Sequence, residues 1–511
     1  MSVRTESRQE KYDAIVIGSG IGGLSAAALL AKAGQHVLVV ERHDRPGGYA
    51  HNFRRKKYLF DCAVHLVGGC EPSANPQFSP IDSVLRALGV RQRCDFLKVD
   101  PFYGAVFPDD SFVAPLGVEP FIQEHARRFP DSADGIGKLM AVCRGLNREL
   151  RELTMAAFLQ APDKFPNIFR YHRATLGAVL NEYLSDCRLQ SVLGAIWPYL
   201  GLPPSRLSFL YWCVTLMSFV EEGAYYCRGT FQGLADALVA ALENHGGELL
   251  LRSRVRRIRV ADGAVQGIVL ENGQRIEAPL VISNADATQT FEELVGLEHL
   301  SDRFVKTLRR LTPSVSGFVL FLATNLDLKS RNLAHETFFY RSWDHDQTHR
   351  EILESKLTGL TVTIPTLVDP SLAPAGEHLM TATALIPYDI HASWRDKKGE
   401  YSERLLDELN VFLPGLRDHV IWAEAASPRT MERYTLNVTG SVYGWEPSPE
   451  QSGLRRLNNE TPIRGLYLSG HWTQPGGGVY GVVLSGLQTA RRILGFPDVD
   501  SYIRTWNLGH A

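Results

Sequence analysis

A chain of 511 residues is longer than one hydrophobic core usually supports and suits two domains. Hydrophobic residues make up 44% and charged residues 22%, which excludes a wholly disordered or collagen-like chain. With 54 Lys+Arg against 56 Asp+Glu the formal charge is -2, so no basic excess points to nucleic acid. Seven cysteines without a C-x-x-C pair argue against a disulfide framework and for a reducing compartment.

Met1 to Lys11 is polar and shows no secretory signal, which predicts a cytoplasmic protein. Asp13 to Ile17 is then a short apolar run fit for a buried parallel strand. It enters Gly18-Ser19-Gly20-Ile21-Gly22-Gly23, a helix follows to Gly34, and His36 to Val40 forms a second strand ending at Glu41. That order is one βαβ unit. Gly18, Gly20 and Gly23 complete a G-x-G-x-x-G fingerprint. The first allows the tight turn, the second lets backbone approach a pyrophosphate, and the third lets helix and strand pack closely. Glu41 stands 18 residues after the third glycine, where a carboxylate can grip ribose hydroxyls. Together these residues point to an adenine dinucleotide. Past Glu41 and Arg42 the chain makes a Gly47-Gly48 turn where a simple NAD domain would begin a helix, which favours the bulkier FAD.

The middle of the chain carries helical periodicity at Glu149 to Leu153 and at Ala178 to Leu184. Leu207 to Val220 is uncharged but shorter than the roughly 18–20 residues a membrane span needs. It reads as a buried core segment, with a tunnel wall or a membrane-dipping surface as alternatives. Asp163 to Arg173 reads as an amphipathic surface helix, with contact to a membrane surface as the alternative. From Gly233 come a helix, the Gly246-Gly247 turn and a strand. An antiparallel meander follows, its turns marked by Asp262-Gly263 and Asn272-Gly273. Residues 310–325 and 378–387 are further strands. His345 and His349 are four apart, but no glutamate follows the first, so a solvated loop is expected and no metal. Near the C-terminus, Gly465 to Gly470 is a strand leading into His471-Trp472-Thr473-Gln474-Pro475-Gly476-Gly477-Gly478-Val479-Tyr480 and a helix. A helix start preceded by bare glycines suits the pyrimidine end of an isoalloxazine, because its dipole favours the negative charge of a reduced flavin.

The βαβ start, the Gly47-Gly48 doublet and the C-terminal glycine run resemble the FAD-dependent phytoene desaturase superfamily. Gly246-Gly247 with Val255, and Val281 to Asp286, resemble the family's second FAD-domain portion, in which the residue matching Val255 touches adenine through its backbone. Tyr58 to His65, Pro198 to Ser205, and the run from Ser427 through Tyr434 to Gly444 look more like the carotenoid isomerase and retinol saturase branch. The sequence departs from that pattern at Ala63, at Thr230 and at His471, which stands where many relatives place an Asp on the ribityl chain.

The resemblance implies an α/β fold, with a Rossmann-like, amine-oxidase-like FAD-binding domain from 11–72, 225–300 and 455–497. A mixed α+β substrate domain would come from 73–224 and 301–454. Cofactor contacts are expected at Gly18, Gly20, Gly23, Glu41, Arg42, Gly47, Gly48, Val255, Gly470, His471, Gly477, Gly478 and Val479. His65 and Tyr480 are the catalytic candidates. The implied substrate is an apolar polyene or related lipid that exchanges hydride with flavin N5 at a C–C or C=C bond. Quinone, oxygen or a reductase would be the electron partner, and contact with a membrane would be peripheral. Redox-neutral cis–trans isomerisation and non-catalytic isoprenoid binding are the alternatives, and an amine oxidase is a third.

Overall fold

The computed structural model describes residues 9–73, 79–153, 161–390 and 393–507; residues 1–8 of the polar N-terminal stretch lie outside them. The expected βαβ unit is present as the strand Ala14–Ile17, the helix Ile21–Lys32 and the strand Val37–Val40. Both strands are completely buried, as a parallel sheet covered on two faces requires. Three more parallel strands join from distant parts of the chain. The sheet runs Leu466–Leu468, Leu280–Ser283, Ala14–Ile17, Val37–Val40, Glu248–Leu250. The C-terminal strand thus lies two places from the N-terminal one.

The meander is also present, as Val255–Ala261, Ala264–Leu270 and Arg275–Glu277. Asp262 and Gly263 both have positive φ, 51° and 69°, the geometry that a two-residue hairpin turn of this hand needs.

A seven-stranded sheet forms the second layer, in the order Val420–Ala426, Ser316–Thr324, His378–Ile386, Gly359–Thr363, Glu336–Tyr340, Tyr103–Val106, Ser111–Ala114. All its pairings are antiparallel except that of Glu336–Tyr340 with Tyr103–Val106. Alternation gives its strands two different faces. Phe318, Leu320, Leu322, Met380, Ala382 and Val362 share a core with Leu405 and Leu409 of the helix Trp394–Phe412. Val319, Phe321, Thr361, Thr383 and Leu385 face the other way, into a cavity. The apolar run 207–220 is the helix Phe209–Val220, largely buried, with Tyr211, Thr215 and Phe219 on the same cavity. It is both core and wall.

In the 163–173 segment the helix is Pro166–Tyr171, with Ile168 and Tyr171 buried and Phe169 51% exposed. His345 and His349 correct the expectation of a solvated loop. They sit on the helix His345–Leu353 and are buried, His345 Nε2 lying 2.7 Å from the Ser191 carbonyl and His349 edge-on to Trp197. Among the described residues no group of three or more His, Cys, Asp and Glu is arranged to hold a metal ion. No helix of the described residues is long and apolar enough to cross a membrane.

Candidate active site

The cavity, of about 920 Å³, runs from the first glycine loop to the seven-stranded sheet. At one end Gly18 takes φ +91°, which an L side chain rarely adopts, and its N–H donates to the Val40 carbonyl. A Cβ on Gly20 would fall 2.5 Å from Asn284 Nδ2, and one on Gly48 would fall 3.1 Å from the Gly20 Cα. The two bare loops therefore touch and leave backbone facing the cavity. The helix Ile21–Lys32 begins there with no side-chain cap and no acid in its first turn, so its N-terminal dipole is open to an anion.

Glu41 is held ready at the end of the second strand. Its Oε2 accepts from the Ser19 amide and hydroxyl, both at 2.8 Å, and its Oε1 accepts from the His43 amide at 2.7 Å. Arg42 and Val255 line the cavity beside it.

The C-terminal glycines reach the same space. A Cβ on Gly22 would meet the Gly470 Cα at 2.9 Å, and Ser469 Oγ donates to the Gly22 carbonyl. Gly470, His471, Gly477, Gly478 and Val479 all line the cavity, with Gly477 capping the helix Gly478–Ile493. Gly23 does not reach the cavity surface; a Cβ there would lie 2.5 Å from the Gly18 carbonyl oxygen, so it sets the packing of helix on loop. Tyr480 is not among the lining residues either, and its ring lies against Gly69.

His65 and His471 both line the cavity, and burial pushes each imidazole down to about 3, with His335 adding to the effect on His65 and Arg456 to that on His471. Both are neutral at ordinary pH, and so weak a base removes protons poorly. Thr230 takes φ +96° while fully buried, the conformation a glycine would hold without strain, and its Oγ1 accepts from Asn52 Nδ2 at 2.8 Å.

Four further residues shape the site. Asn284 sits between the two glycine loops, its Oδ1 2.5 Å from where a Gly470 Cβ would stand. Arg456 is buried and, among the described residues, pairs with no carboxylate; it donates to the carbonyls of Tyr443, Trp445, Gln451, His471 and Thr473. It thereby ties together the loops that present Tyr443 and His471. Tyr211 accepts from the Gly477 amide at 2.6 Å. Glu336 is fully buried on the cavity wall, and burial raises its carboxyl to about 8, against the pull of Thr363 and Tyr199.

Two glycine-lined helix starts thus share one large cavity. Residues 21–494 match the family described as flavin containing amine oxidoreductase, and the chain belongs to it. It is 30% identical to prolycopene isomerase 2, chloroplastic, of an Oncidium hybrid cultivar, over 95% of this chain and 85% of that one. It is 26% identical to all-trans-retinol 13,14-reductase of Danio rerio (90% and 82%) and 26% identical to the lycopene-forming phytoene desaturase of Pseudescherichia vulneris (93% and 98%). A solved structure of a putrescine oxidase double mutant superposes with a TM-score of 0.64 at 15% identity, covering 95% of this chain and 99% of that one, which shows the shared fold. The chain is an FAD-dependent oxidoreductase of the phytoene desaturase and carotenoid isomerase branch, and its cofactor is FAD. Non-catalytic isoprenoid binding gives way to an enzyme.

Proposed function

We propose that this enzyme acts on a conjugated apolar polyene of carotenoid or retinoid type. The observation that carries the reading is the two-ended cavity: glycine backbone and Glu41 at one end, and Leu200, Phe219, Val319, Phe321 and Leu385 at the other. The relatives' names add weight, since they describe proteins that act on prolycopene, retinol and phytoene.

In this reading 11–72, 225–300 and 455–497 form the FAD-binding unit, and 73–224 and 301–454 form the substrate unit. Gly18, Gly20, Gly47 and Gly48 admit the pyrophosphate. Glu41 receives the ribose hydroxyls, Arg42 and Val255 border the adenine, and Gly470 to Val479 face the flavin ring. FAD, when bound, supplies hydride exchange at N5 with a C–C or C=C bond. The apolar walls hold the polyene in extended form and exclude water, and His65 borders the reacting segment. Tyr480, behind the cavity wall, acts by positioning the start of the helix Gly478–Ile493. Such a substrate dissolves in bilayers, so a cytoplasmic enzyme touching membrane peripherally, with quinone, oxygen or a reductase as electron partner, completes the proposal.

A second reading, redox-neutral cis–trans isomerisation, is favoured by the 30% identity to a prolycopene isomerase. Oxidised and reduced enzyme, each incubated with a polyene, separate the outcomes by mass spectrometry: a loss of two hydrogens, a gain of two, or no change. No reaction of either form with retinol or a carotene would overturn the proposal.

A further inference from the structure

Glu336 opens the strand Glu336–Tyr340, pairs with Thr363 across the ladder, and faces the cavity side of the seven-stranded sheet. Its side chain is fully buried. Thr363 Oγ1 lies 3.0 and 2.9 Å from its two oxygens, and one hydroxyl proton serves both. Tyr199, from the turn Trp197–Tyr199, presents its phenol to the carboxyl without forming a hydrogen bond of good geometry. Tyr443, whose carbonyl lies 3.5 Å from where a Gly477 Cβ would stand, feels the carboxyl from a third side. Its phenol is engaged elsewhere, donating to the Pro198 carbonyl at 2.7 Å. Thr361, Thr383 and His65 also line the cavity. The neighbouring His335 points its Nε2 to the His65 carbonyl.

Among the described residues no lysine or arginine acts on Glu336. A carboxylate buried without a cation is costly, and the group avoids the cost by keeping its proton. Glu336 is thus an acid that keeps its proton on the wall of the cavity.

We propose that Glu336 is the proton donor of this cavity, acting on a carbon of a conjugated double bond bound beside it. The inference rests on the polyene reading and deepens it. In the step, the Glu336 O–H bond breaks and a C–H bond forms from the π pair of the polyene. Positive charge spreads along the conjugated chain, and neighbouring double bonds lose order and rotate. Either the added hydrogen or the one already on that carbon then leaves as a proton to the carboxylate and the double bond re-forms, so that solvent hydrogen enters the polyene when the original one departs. Electrons balance with no oxidant or reductant, and the product is a geometric isomer.

The holoenzyme, in D2O, is given a poly-cis acyclic carotene and, separately, all-trans-retinol; deuterium in the recovered polyene and the isomer ratio are measured. Wild type is expected to introduce deuterium, at a rate that falls as pH rises through about 8, where the acid form is lost. Glu336→Gln, of the same shape but with no proton to give, is expected to slow exchange and isomerisation about 100-fold or more, with FAD content unchanged and Glu336→Asp restoring part of the rate. Independently of any substrate, infrared spectra of wild type at neutral pH should contain a protonated-carboxyl C=O band that Glu336→Gln lacks. Turnover by Glu336→Gln at the wild-type rate, turnover without deuterium, or absence of the band would overturn the proton-donor role and leave the polyene reading standing. A wild type that shows the band yet acts on neither polyene would overturn both.

Discussion

The two ends of the cavity solve opposite problems. At the glycine-rich end the side chains are anchored before any ligand arrives, Glu41 accepting from Ser19 and His43, while the first turn of the helix Ile21–Lys32 is left uncapped. At the other end a sheet face of threonines and apolar residues holds one buried carboxyl, that of Glu336, with a single good hydrogen-bond donor. The first arrangement gives rigidity, because bare glycines and short polar contacts leave no room for adjustment. The second gives chemistry, because an acid in an apolar wall keeps a proton at a pH where exposed carboxyls have lost theirs.

Acid should have the largest effect. Burial lowers His51, His125, His335, His345 and His349 to about 4, and His65 and His471 to about 3. The unfolded chain takes up protons below about 6.5 while the folded chain does not, so stability falls as pH drops from there toward 4. Thermal melts across that range should show a steep loss with uptake of several protons. Glu336 runs the other way. Its unfolded carboxyl ionises near its ordinary value while the folded one stays protonated to about 8, so its contribution declines as pH rises between the two. Glu336→Gln should therefore be more stable than wild type at pH 8, by about 4 kcal/mol, and nearly indistinguishable from it at pH 4 by denaturant titration.

Arg456→Met leaves five carbonyls without their common donor and should cost about 3 kcal/mol, read as a lowered melting temperature with early loss of flavin. Glu41→Ala is expected to weaken FAD binding by about 2 kcal/mol, or roughly 30-fold, in a titration that leaves the fold intact. Thr230→Gly exchanges relief of a positive φ for loss of the Asn52 hydrogen bond, and melts should place it within about 1 kcal/mol of wild type. A large loss there would mean that the hydrogen bond outweighs the strain.

The strand–glycine loop–helix–strand start was legible because its signals are local. A short apolar run, three glycines at fixed spacing and an acid at the next strand's end occupy 28 consecutive residues, from Ala14 to Glu41. The C-terminal glycine run was readable on the same terms. The substrate end was not, because its partners are far apart in sequence. Glu336 sits in His335-Glu336-Thr337-Phe338-Phe339-Tyr340, where an acid among strand formers is as compatible with a solvated edge as with a cavity wall. Its one available signal was the alternation of Thr361 with Thr363 and of Thr381 with Thr383, which marks a polar stripe on an otherwise apolar sheet. Arg455 and Arg456 look alike in sequence, yet one is exposed and the other buried, a distinction made only by the loops that close over it. His345 and His349 were misplaced because a polar run around them masked the one helical face that packs on Trp197.

The most direct test is an experimental structure of the FAD-loaded enzyme. The adenosine ribose should hydrogen-bond to Glu41 while the isoalloxazine lies against Gly477 to Val479, one molecule joining both ends of the chain. Density that places the ribose away from Glu41, or the ring away from the C-terminal glycines, would contradict it.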